Sequence, residues 1–391
     1  MNKNRFIPYA RQSISQQDID EVVVALQSDL ITRGPKVLAF EQAIADYCGA
    51  KYAVCMTSGT TALFGAFQAA NVSASDRFLT TPNSFVATTT AGMRLGARPY
   101  FIDLEECSGN MSLDKLAEAL VDTPSRGRFV IAPVHFAGIA LDMKRLDSML
   151  KTPDVVVIED AAHAIGSHYP SGEKVGSCAY SQMTIFSFHA IKTITSAEGG
   201  CVTTNDEGLY HKLKRFRDSG IEREAAFMHG QYEPWYYEVQ ELSGNFHMTE
   251  MQAALGLSQL QRIEENSKKR KEIVSWYRTY LKDAKQICLF DSKFDSQSVC
   301  HLMVVQIDFE KCKTTRTKVM QNLRDVGIGS QYHYIPIYRH PLLQRLYGEQ
   351  ESQFPEMERY YKAALSIPLY ADLEEDDVKK VCEELIKATS L

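Results

Sequence analysis

Short apolar runs alternate with amphipathic stretches along much of the first half of this chain. Between Tyr52 and about Thr204, strand-like runs such as FLTTP, ARPYFID, RFVIAPV and DVVVIED are separated by helical stretches of roughly ten residues. This alternation predicts a mainly parallel sheet covered by helices. A helix precedes the sheet region, because Ser15 and Asp18 have the spacing of an N-cap and its partner.

The pattern changes beyond the sheet region. It predicts one long helix over residues 249–281, a strand over residues 300–307 and a final amphipathic helix from Glu374. This order is typical of an α+β layer rather than of a second wound sheet. We therefore expect an α/β protein with a large domain, residues 1–255, and a smaller C-terminal α+β domain, residues 256–391, joined by the long helix.

One of the predicted strands ends in two acidic residues, Glu159 and Asp160. The run before them, residues 155–158, is apolar without alternation and is typical of a strand covered on both faces. Ligands of parallel sheets bind beyond the carboxyl ends of the strands, where Asp160 is expected. A buried carboxylate needs a cationic partner or several hydrogen-bond donors, and a protonated pyridine nitrogen is one such cation. The alternative is that Asp160 only caps a helix over residues 161–166.

A single lysine, Lys192, stands in the segment FSFHAIKTITSAEGG. It lies between small and hydroxyl-bearing residues and a Glu-Gly-Gly turn. Flanks that limit hydration lower the pKa of a lysine and leave a neutral amine free to attack a carbonyl. On these residues alone, an ordinary surface lysine remains the alternative.

A third element follows the apolar stretch of residues 52–56. The sequence Ser-Gly-Thr-Thr, residues 58–61, precedes an apolar helical pattern, and Ser187 adds a hydroxyl five residues before Lys192. Unpaired amides at a helix start, a permissive glycine and hydroxyls suit a phosphate, although such a start is also an ordinary helix cap. Together, a phosphate cradle, a strand-end aspartate and a reactive lysine in this order indicate a pyridoxal phosphate site.

The chain resembles the DegT/DnrJ/EryC1/StrS family of sugar aminotransferases over nearly its whole length. The matching segments are TSGTTAL, TTPNSFVATT, GARPYFID, PVHFAG, IEDAAHAIGS, FSFHAIKTITSAEGG, MTEMQAALGLSQL and HYIPIY. The resemblance implies aminotransferase fold type I, with a large domain and a smaller C-terminal domain. Within the family, the sequences of these segments are most similar to those of enzymes of pseudaminic acid biosynthesis. These transfer the amino group of L-glutamate to a UDP-linked 4-keto-6-deoxy N-acetylhexosamine.

The resemblance also implies roles around the cofactor, pyridoxal 5'-phosphate. Lys192 would attach the cofactor covalently through its amine, and Asp160 would keep the pyridine nitrogen protonated. His163 would lie near the phenolic oxygen, and Phe85 would stack on the ring; from the pattern alone, a core position for Phe85 is at least as good an alternative. The phosphate would be held by Gly59, Thr60 and Ser187.

A homodimer and a sugar site follow from the same resemblance. Asn245 would reach the phosphate bound by the neighbouring subunit. The nucleotide sugar would be contacted by Tyr9, by Asp29, Leu30, Ile31 and Thr32, and by Tyr334, Ile335, Pro336 and Ile337. From the pattern alone, the tyrosines among them are ordinary half-buried side chains.

The chain departs from the family at one point near Asn245. Where the family reads Tyr-Asn-Tyr-Arg-Met, this chain reads Gly244, Asn245, Phe246, His247, Met248. The role of the family's arginine at the subunit contact or toward substrate anions is therefore open, and a capping or packing role for His247 is the alternative.

Bulk composition agrees with a soluble enzyme. The net charge of −6 disfavours general nucleic-acid binding, since there is no basic excess to displace counterions. No stretch has the roughly 20 apolar residues of a membrane span, and nine cysteines without a C-x-x-C pair indicate free thiols in the cytoplasm. A metal site is not expected, because His163 and His168 have no acidic or cysteine partner at ligand spacing.

Three functions compete. The favoured function is amination of a nucleotide-linked 4-keto-6-deoxy sugar, with other 3- or 4-keto sugars as the nearest alternative. A sugar dehydratase on the same scaffold is disfavoured, because those relatives replace the lysine with histidine and Lys192 is present. A cofactor-sensing regulator would need an attached DNA-binding domain, for which no residues are left over.

Overall fold

The computed structural model describes residues 5–106, 108–121, 127–150, 154–230 and 233–390. The helices in these ranges are α1 (Gln16–Leu26), α2 (Pro35–Cys48), α3 (Gly59–Ala69), α4 (Val86–Arg94), α5 (Leu113–Val121), α6 (Met143–Met149), α7 (Glu207–Arg217), α8 (Glu250–Gln261), α9 (Ile263–Leu281), α10 (Arg316–Asp325), α11 (Pro341–Tyr347), α12 (Pro355–Ala363) and α13 (Glu375–Thr389). The strands are β1 (Tyr52–Met56), β2 (Arg77–Thr80), β3 (Arg98–Phe101), β4 (Phe129–Ala132), β5 (Val155–Asp160), β6 (Met183–Ser187), β7 (Gly200–Thr204), β8 (Ile221–Glu222), β9 (Glu238–Val239), β10 (Ile287–Leu289), β11 (Met303–Ile307) and β12 (Ala364–Ile367).

A seven-stranded sheet forms the centre of the molecule, in the order β1-β7-β6-β5-β4-β2-β3. The strand β7 runs antiparallel to both of its neighbours, and the other neighbouring pairs are parallel. This confirms the predicted mainly parallel, helix-covered sheet. Because β5 and β6 are parallel, their carboxyl ends, Asp160 and Ser187, lie at the same edge.

A second, smaller sheet is antiparallel, in the order β10-β11-β12. Helices α9 and α13 pack against it through a separate apolar cluster that includes Ile273, Val305 and Leu385. Ile7, near the start of the chain, belongs to this cluster and forms a bridge with Ile328. The proposed division at residue 255 stays a prediction, and the segment around Ile7 packs with the C-terminal part.

The long helix predicted over residues 249–281 is wrong in one respect, because it is two helices. α8 ends before Arg262, whose backbone leaves the helical region at φ −105° and ψ 11°, and α9 begins at Ile263. The guanidinium of Arg262 pairs with the buried carboxylate of Asp18 in α1 at 2.5 Å. The apolar pattern continues across the break, which is why the sequence did not reveal it.

The cap predicted at Ser15 is confirmed, and Ser58 and Thr249 cap their helices in the same way. Ser15, Ser58 and Thr249 each accept a hydrogen bond from the third backbone amide of the helix that follows.

Within the described ranges, none of the helices has the length and apolar character to cross a bilayer. The described cysteines are free thiols, and Cys107 lies outside the described residues.

Candidate active site

A cavity of about 440 Å³ opens at the carboxyl ends of β5 and β6. The predicted residues that line it are Tyr9, Gly59, Thr60, Phe85, Asp160, His163, Ser187, Lys192 and Tyr334. They come from segments separated by up to 325 positions in the sequence, from Tyr9 to Tyr334. The structure therefore brings together the three elements on which the predicted pyridoxal phosphate site depends.

Lys192 lies in the turn between β6 and β7, and its side chain is half-buried. Its backbone amide donates to the carbonyl of His189 at 2.9 Å, which fixes the turn. Burial lowers the pKa of Lys192 to about 8, while the carboxylate of Asp160 acts in the opposite direction. About a tenth of the amine is therefore neutral at pH 7, far more than in an ordinary lysine.

Asp160 is 5% exposed and is held by two donors. The hydroxyl of Thr88 donates to Oδ2 at 2.5 Å, and the amide of Ala162 donates to Oδ1 at 3.0 Å. Residues 161–166 form turns rather than an α-helix, so the alternative role of Asp160 as a helix cap is wrong. Thr88 in turn exchanges a hydrogen bond of 2.7 Å with Ser84, so the carboxylate has one fixed orientation.

The groups that contact the two ring nitrogens of His163 determine which of these nitrogens carries a proton. The amide of Ala137 donates to Nδ1 at 3.3 Å, and Nε2 lies 3.2 Å from the hydroxyl of Tyr334. An amide nitrogen can only donate here, so Nδ1 accepts and the neutral ring carries its proton on Nε2. Burial, followed by the charges of Lys192 and His333, keeps the pKa of His163 well below 6.5. His163 is therefore a neutral donor on the cavity side.

The phosphate cradle is built by close approach of two glycines to neighbouring backbone. A Cβ on Gly59 would lie 2.8 Å from Cβ of Ser187, and a Cβ on Gly200 would lie 2.3 Å from the carbonyl oxygen of Ser58. Real Cβ contacts are not this short, so only glycine fits at either position. The second glycine of the Glu-Gly-Gly turn is thus what lets β7 pack against the start of α3.

These residues fit pyridoxal phosphate. Unpaired amides at the start of α3 and the hydroxyls of Thr60 and Ser187 face the cavity beside Gly59, which suits a phosphate. The carboxylate of Asp160 suits the pyridine nitrogen, and the amine of Lys192 suits covalent attachment. The exposed ring of Phe85, at 57%, lines the cavity where a planar ligand would stack on it.

Several predicted residues do not line the cavity of their own chain. Asn245 and residues 29–32 are exposed on the surface nearby. In the HYIPIY segment only Tyr334 of the four predicted residues lines the cavity; Pro336 and Ile337 are buried, and Ile335 is 46% exposed. Ile337 packs in an apolar cluster with Phe136. The roles assigned to these residues stay predictions.

Other residues of the site did not stand out in the sequence. Thr88 fixes Asp160, and the ring of His301 packs against that of His163 at an interplanar angle of 36°, with centroids 4.5 Å apart. His333 also lines the cavity, and burial lowers its pKa to about 4. Thr88 lies in the TTPNSFVATT segment that carries the family resemblance, so a signal was present for it. His301 stands in no such segment.

Comparison with known proteins supports these observations over the whole chain. The model of the DegT/DnrJ/EryC1/StrS aminotransferase family matches residues 12–386. The spore coat polysaccharide biosynthesis protein SpsC of Bacillus subtilis is 36% identical, over 97% of this chain and 96% of that protein. The UDP-4-amino-4,6-dideoxy-N-acetyl-beta-L-altrosamine transaminase of Campylobacter jejuni is 35% identical, with the same two coverages.

A solved structure shows the same architecture. Helicobacter pylori PseC, an aminotransferase involved in the biosynthesis of pseudaminic acid, superposes with a TM-score of 0.89 at 29% identity, covering 98% of this chain and 99% of that chain. The chain therefore belongs to the DegT/DnrJ/EryC1/StrS aminotransferase family and is a pyridoxal phosphate-dependent nucleotide-sugar transaminase.

Proposed function

We propose that this enzyme transfers the amino group of L-glutamate to C4 of a UDP-linked 4-keto-6-deoxy-N-acetylhexosamine. The product would be UDP-4-amino-4,6-dideoxy-N-acetyl-β-L-altrosamine, in pseudaminic acid biosynthesis. The observation that carries this proposal is the 35% identity to the Campylobacter jejuni transaminase over nearly all of both chains. The likeness to the Helicobacter pylori enzyme in structure points the same way.

A second candidate is amination of another nucleotide-linked 3- or 4-keto sugar. The identity to the spore coat protein SpsC, at 36%, favours it as directly as the other relative favours the first. A dehydratase remains the least favoured alternative, because the lysine on which transamination depends is present and faces the cavity.

In the proposed reaction, the cofactor supplies an electrophilic carbon and an electron-withdrawing ring. The amine of Lys192 moves a proton to and from the substrate carbon, for which its lowered pKa of about 8 is suitable. Thr88 and Ala162 hold the carboxylate of Asp160 toward the cavity. The proton on Nε2 of His163 gives a hydrogen-bond donor at the cavity wall. Two half-reactions in one cavity predict ping-pong kinetics.

We further propose that two copies of the chain share each site. Residues 29–32 and Asn245, which do not line their own cavity, lie on one surface. Thr32 forms a bridge with Thr249, and Asp218 forms one with Asn245 while pairing with Arg33 at 3.1 Å. On α1, the exposed side chains of Ile19, Val23, Val24 and Leu26 add apolar area that a partner would cover. In a homodimer, this surface of one subunit would lie against the cavity of the other subunit.

His247, which stands where the family has an arginine, also lies on this surface. Its Nε2 lies 3.0 Å from Oδ1 of Asp218, the same oxygen that forms an ion pair with Arg33. Burial lowers the pKa of His247 despite that carboxylate. A neutral His247 thus donates to Asp218 and acts as a packing residue, and Arg33 supplies a guanidinium beside it.

The substrate proposal is tested by incubating purified, cofactor-loaded enzyme with L-glutamate and a panel of UDP- and dTDP-linked 4-keto and 3-keto sugars. We expect amination of the UDP-linked 4-keto-6-deoxy N-acetyl sugar, with the amino group at C4 by NMR. Amination only of a dTDP-linked 3-keto sugar would overturn the substrate and leave the family intact. A Lys192→Ala variant serves as the control without turnover.

A further inference from the structure

A second, very small cavity shares only Lys192 with the main cavity. The space open to the centre of a water-sized particle is about 10 Å³, so the cavity holds one such particle or a small ion. Lys192 lines both cavities. Three of the ten residues around the small cavity are cationic, Arg11, Lys192 and Arg270, and none of the ten is acidic.

Arg270, in α9, carries a charge that the protein leaves poorly compensated. It is 3% exposed, and it has no carboxylate within ion-pairing distance in the described part of the chain. Its Nη1 donates to the backbone carbonyls of Cys300, His301 and Leu369 at 3.3–3.4 Å, which are long hydrogen bonds. Burial lowers the pKa of Arg270 to about 10, so it remains protonated near neutral pH.

Two donors around the small cavity lack a partner among the described residues. Nε of Arg270 is buried without an acceptor, and so is the hydroxyl of Thr193, a residue that is 6% exposed. Buried polar groups are nearly always hydrogen-bonded, and an unpaired buried charge is strongly destabilising. A single acceptor that also carries negative charge would satisfy both donors and compensate the guanidinium.

We propose that this cavity is a binding site for one small monovalent inorganic anion of halide size. The anion accepts from Nε of Arg270 and the hydroxyl of Thr193, and lies beside Lys192. A carboxylate-bearing metabolite is too large for the space. The site is separate from the phosphate cradle, which is formed by other residues, and it does not depend on which sugar is aminated.

The first test uses crystals of the cofactor-loaded enzyme grown in sodium bromide. We expect an anomalous bromide peak between Arg270 and Thr193. Density for a single water there, with bromide only elsewhere on the surface, would overturn the proposal, because water would then be the natural acceptor.

The second test measures the melting temperature in sodium chloride and sodium gluconate at equal ionic strength. A ligand that binds only the folded state raises the melting temperature, so we expect a higher value in chloride. The Thr193→Val variant loses one donor and should bind halide roughly tenfold more weakly, so that most of the chloride effect disappears. Thr89→Val is the matched control, because Thr89 also has a buried unpaired hydroxyl but does not line the cavity. Equal chloride effects in the two variants would contradict the proposal.

Discussion

The backbone amide of Ala137 donates to Nδ1 of His163, and this single contact decides what the histidine offers the cavity. With Nδ1 occupied as an acceptor, the proton must be on Nε2, and the lowered pKa keeps the ring neutral. We expect ¹⁵N NMR of the enzyme labelled at histidine to show the neutral Nε2–H form for His163 near neutral pH. A His163→Asn variant, which has no donor at the Nε2 position, should lose about one to two orders of magnitude in kcat. A charged ring, or the other neutral form, would contradict this prediction.

Lys192 should destabilise the folded apoenzyme at neutral pH. Its pKa is about 8 in the folded chain, whereas the ordinary value for lysine, which applies to the unfolded chain, is 10.5. The unfolded chain therefore binds more protons than the folded chain between these values, and stability rises with pH across that window. Below pH 8 the lysine is protonated in the folded chain as well, so the full destabilisation by its buried charge is present. We expect Lys192→Met to raise the unfolding free energy of the apoenzyme by about 1–3 kcal/mol at neutral pH.

Urea unfolding of the two apoenzymes at neutral pH and near pH 10 measures this effect. The gain in unfolding free energy from Lys192→Met should be smaller at the higher pH, where the lysine of the wild-type chain is neutral in the folded state. Transamination by the variant should be absent at both values. An equal advantage at both pH values would mean that packing, and not charge, causes the difference.

Thr88 should act on catalysis through Asp160. Replacing it with valine removes the donor to Oδ2, and hydrogen bonds to charged groups are worth about 1.5–3 kcal/mol. We expect Thr88→Val to lower kcat roughly tenfold or more, with little change in KM for the sugar. Thr88→Ser keeps the hydroxyl and should restore most of kcat. The visible spectrum of the loaded enzyme should also shift for valine only, and failure of serine to rescue would indicate a packing role.

Gly200 should be required for cofactor binding rather than for folding of the sheet as a whole. A methyl group at this position would press on the carbonyl of Ser58 and displace the start of α3. We expect Gly200→Ala to weaken pyridoxal phosphate binding at least about tenfold, measured by fluorescence titration of the apoenzyme. Gly208→Ala is the control, since its Cβ would meet only Oδ1 of Asp206 at 3.2 Å inside α7. Unchanged cofactor affinity in Gly200→Ala would show that the cradle tolerates the shift.

Subunit mixing should reveal whether Asn245 serves the neighbouring site. The Lys192→Ala and Asn245→Ala variants are each expected to be nearly inactive. If Asn245 acts across the interface, a mixed dimer contains one site with both residues intact. After unfolding and refolding an equal mixture together, we expect about a quarter of wild-type activity, from random pairing. No recovery in a mixture that sedimentation shows to be dimeric would place Asn245 in its own site.

Much of the site was predictable because its chemistry lies at strand ends. Asp160 and Ser187 end adjacent parallel strands, so an apolar run followed by a polar residue marks each of them in the sequence. Lys192 follows in the next turn. Thr88 contacts Asp160 across 72 positions, and no local pattern announces a hydroxyl that points at a distant carboxylate.

The wrong prediction of one long helix has a physical cause of the same kind. The helix break at Arg262 accompanies an ion pair with Asp18, a partner 244 positions away. Pro336 and Ile337 were assigned to the sugar as part of one segment; their side chains are buried and Ile337 packs in an apolar cluster, and the assignment stays a prediction. A motif identifies a segment, whereas the direction of each side chain within it depends on packing.

The position of Ile7 has a consequence for how the chain folds as it is synthesised. The amide of Ile7 donates to the carbonyl of Gly327, and its side chain lies in the apolar cluster with Ile328. Domains usually fold as they leave the ribosome, the earliest first. Here the segment around Ile7 must wait, unpaired, until more than 300 later residues have emerged. Closure of the C-terminal core, and with it the position of Tyr9 at the cavity, is therefore one of the last events in the maturation of the enzyme.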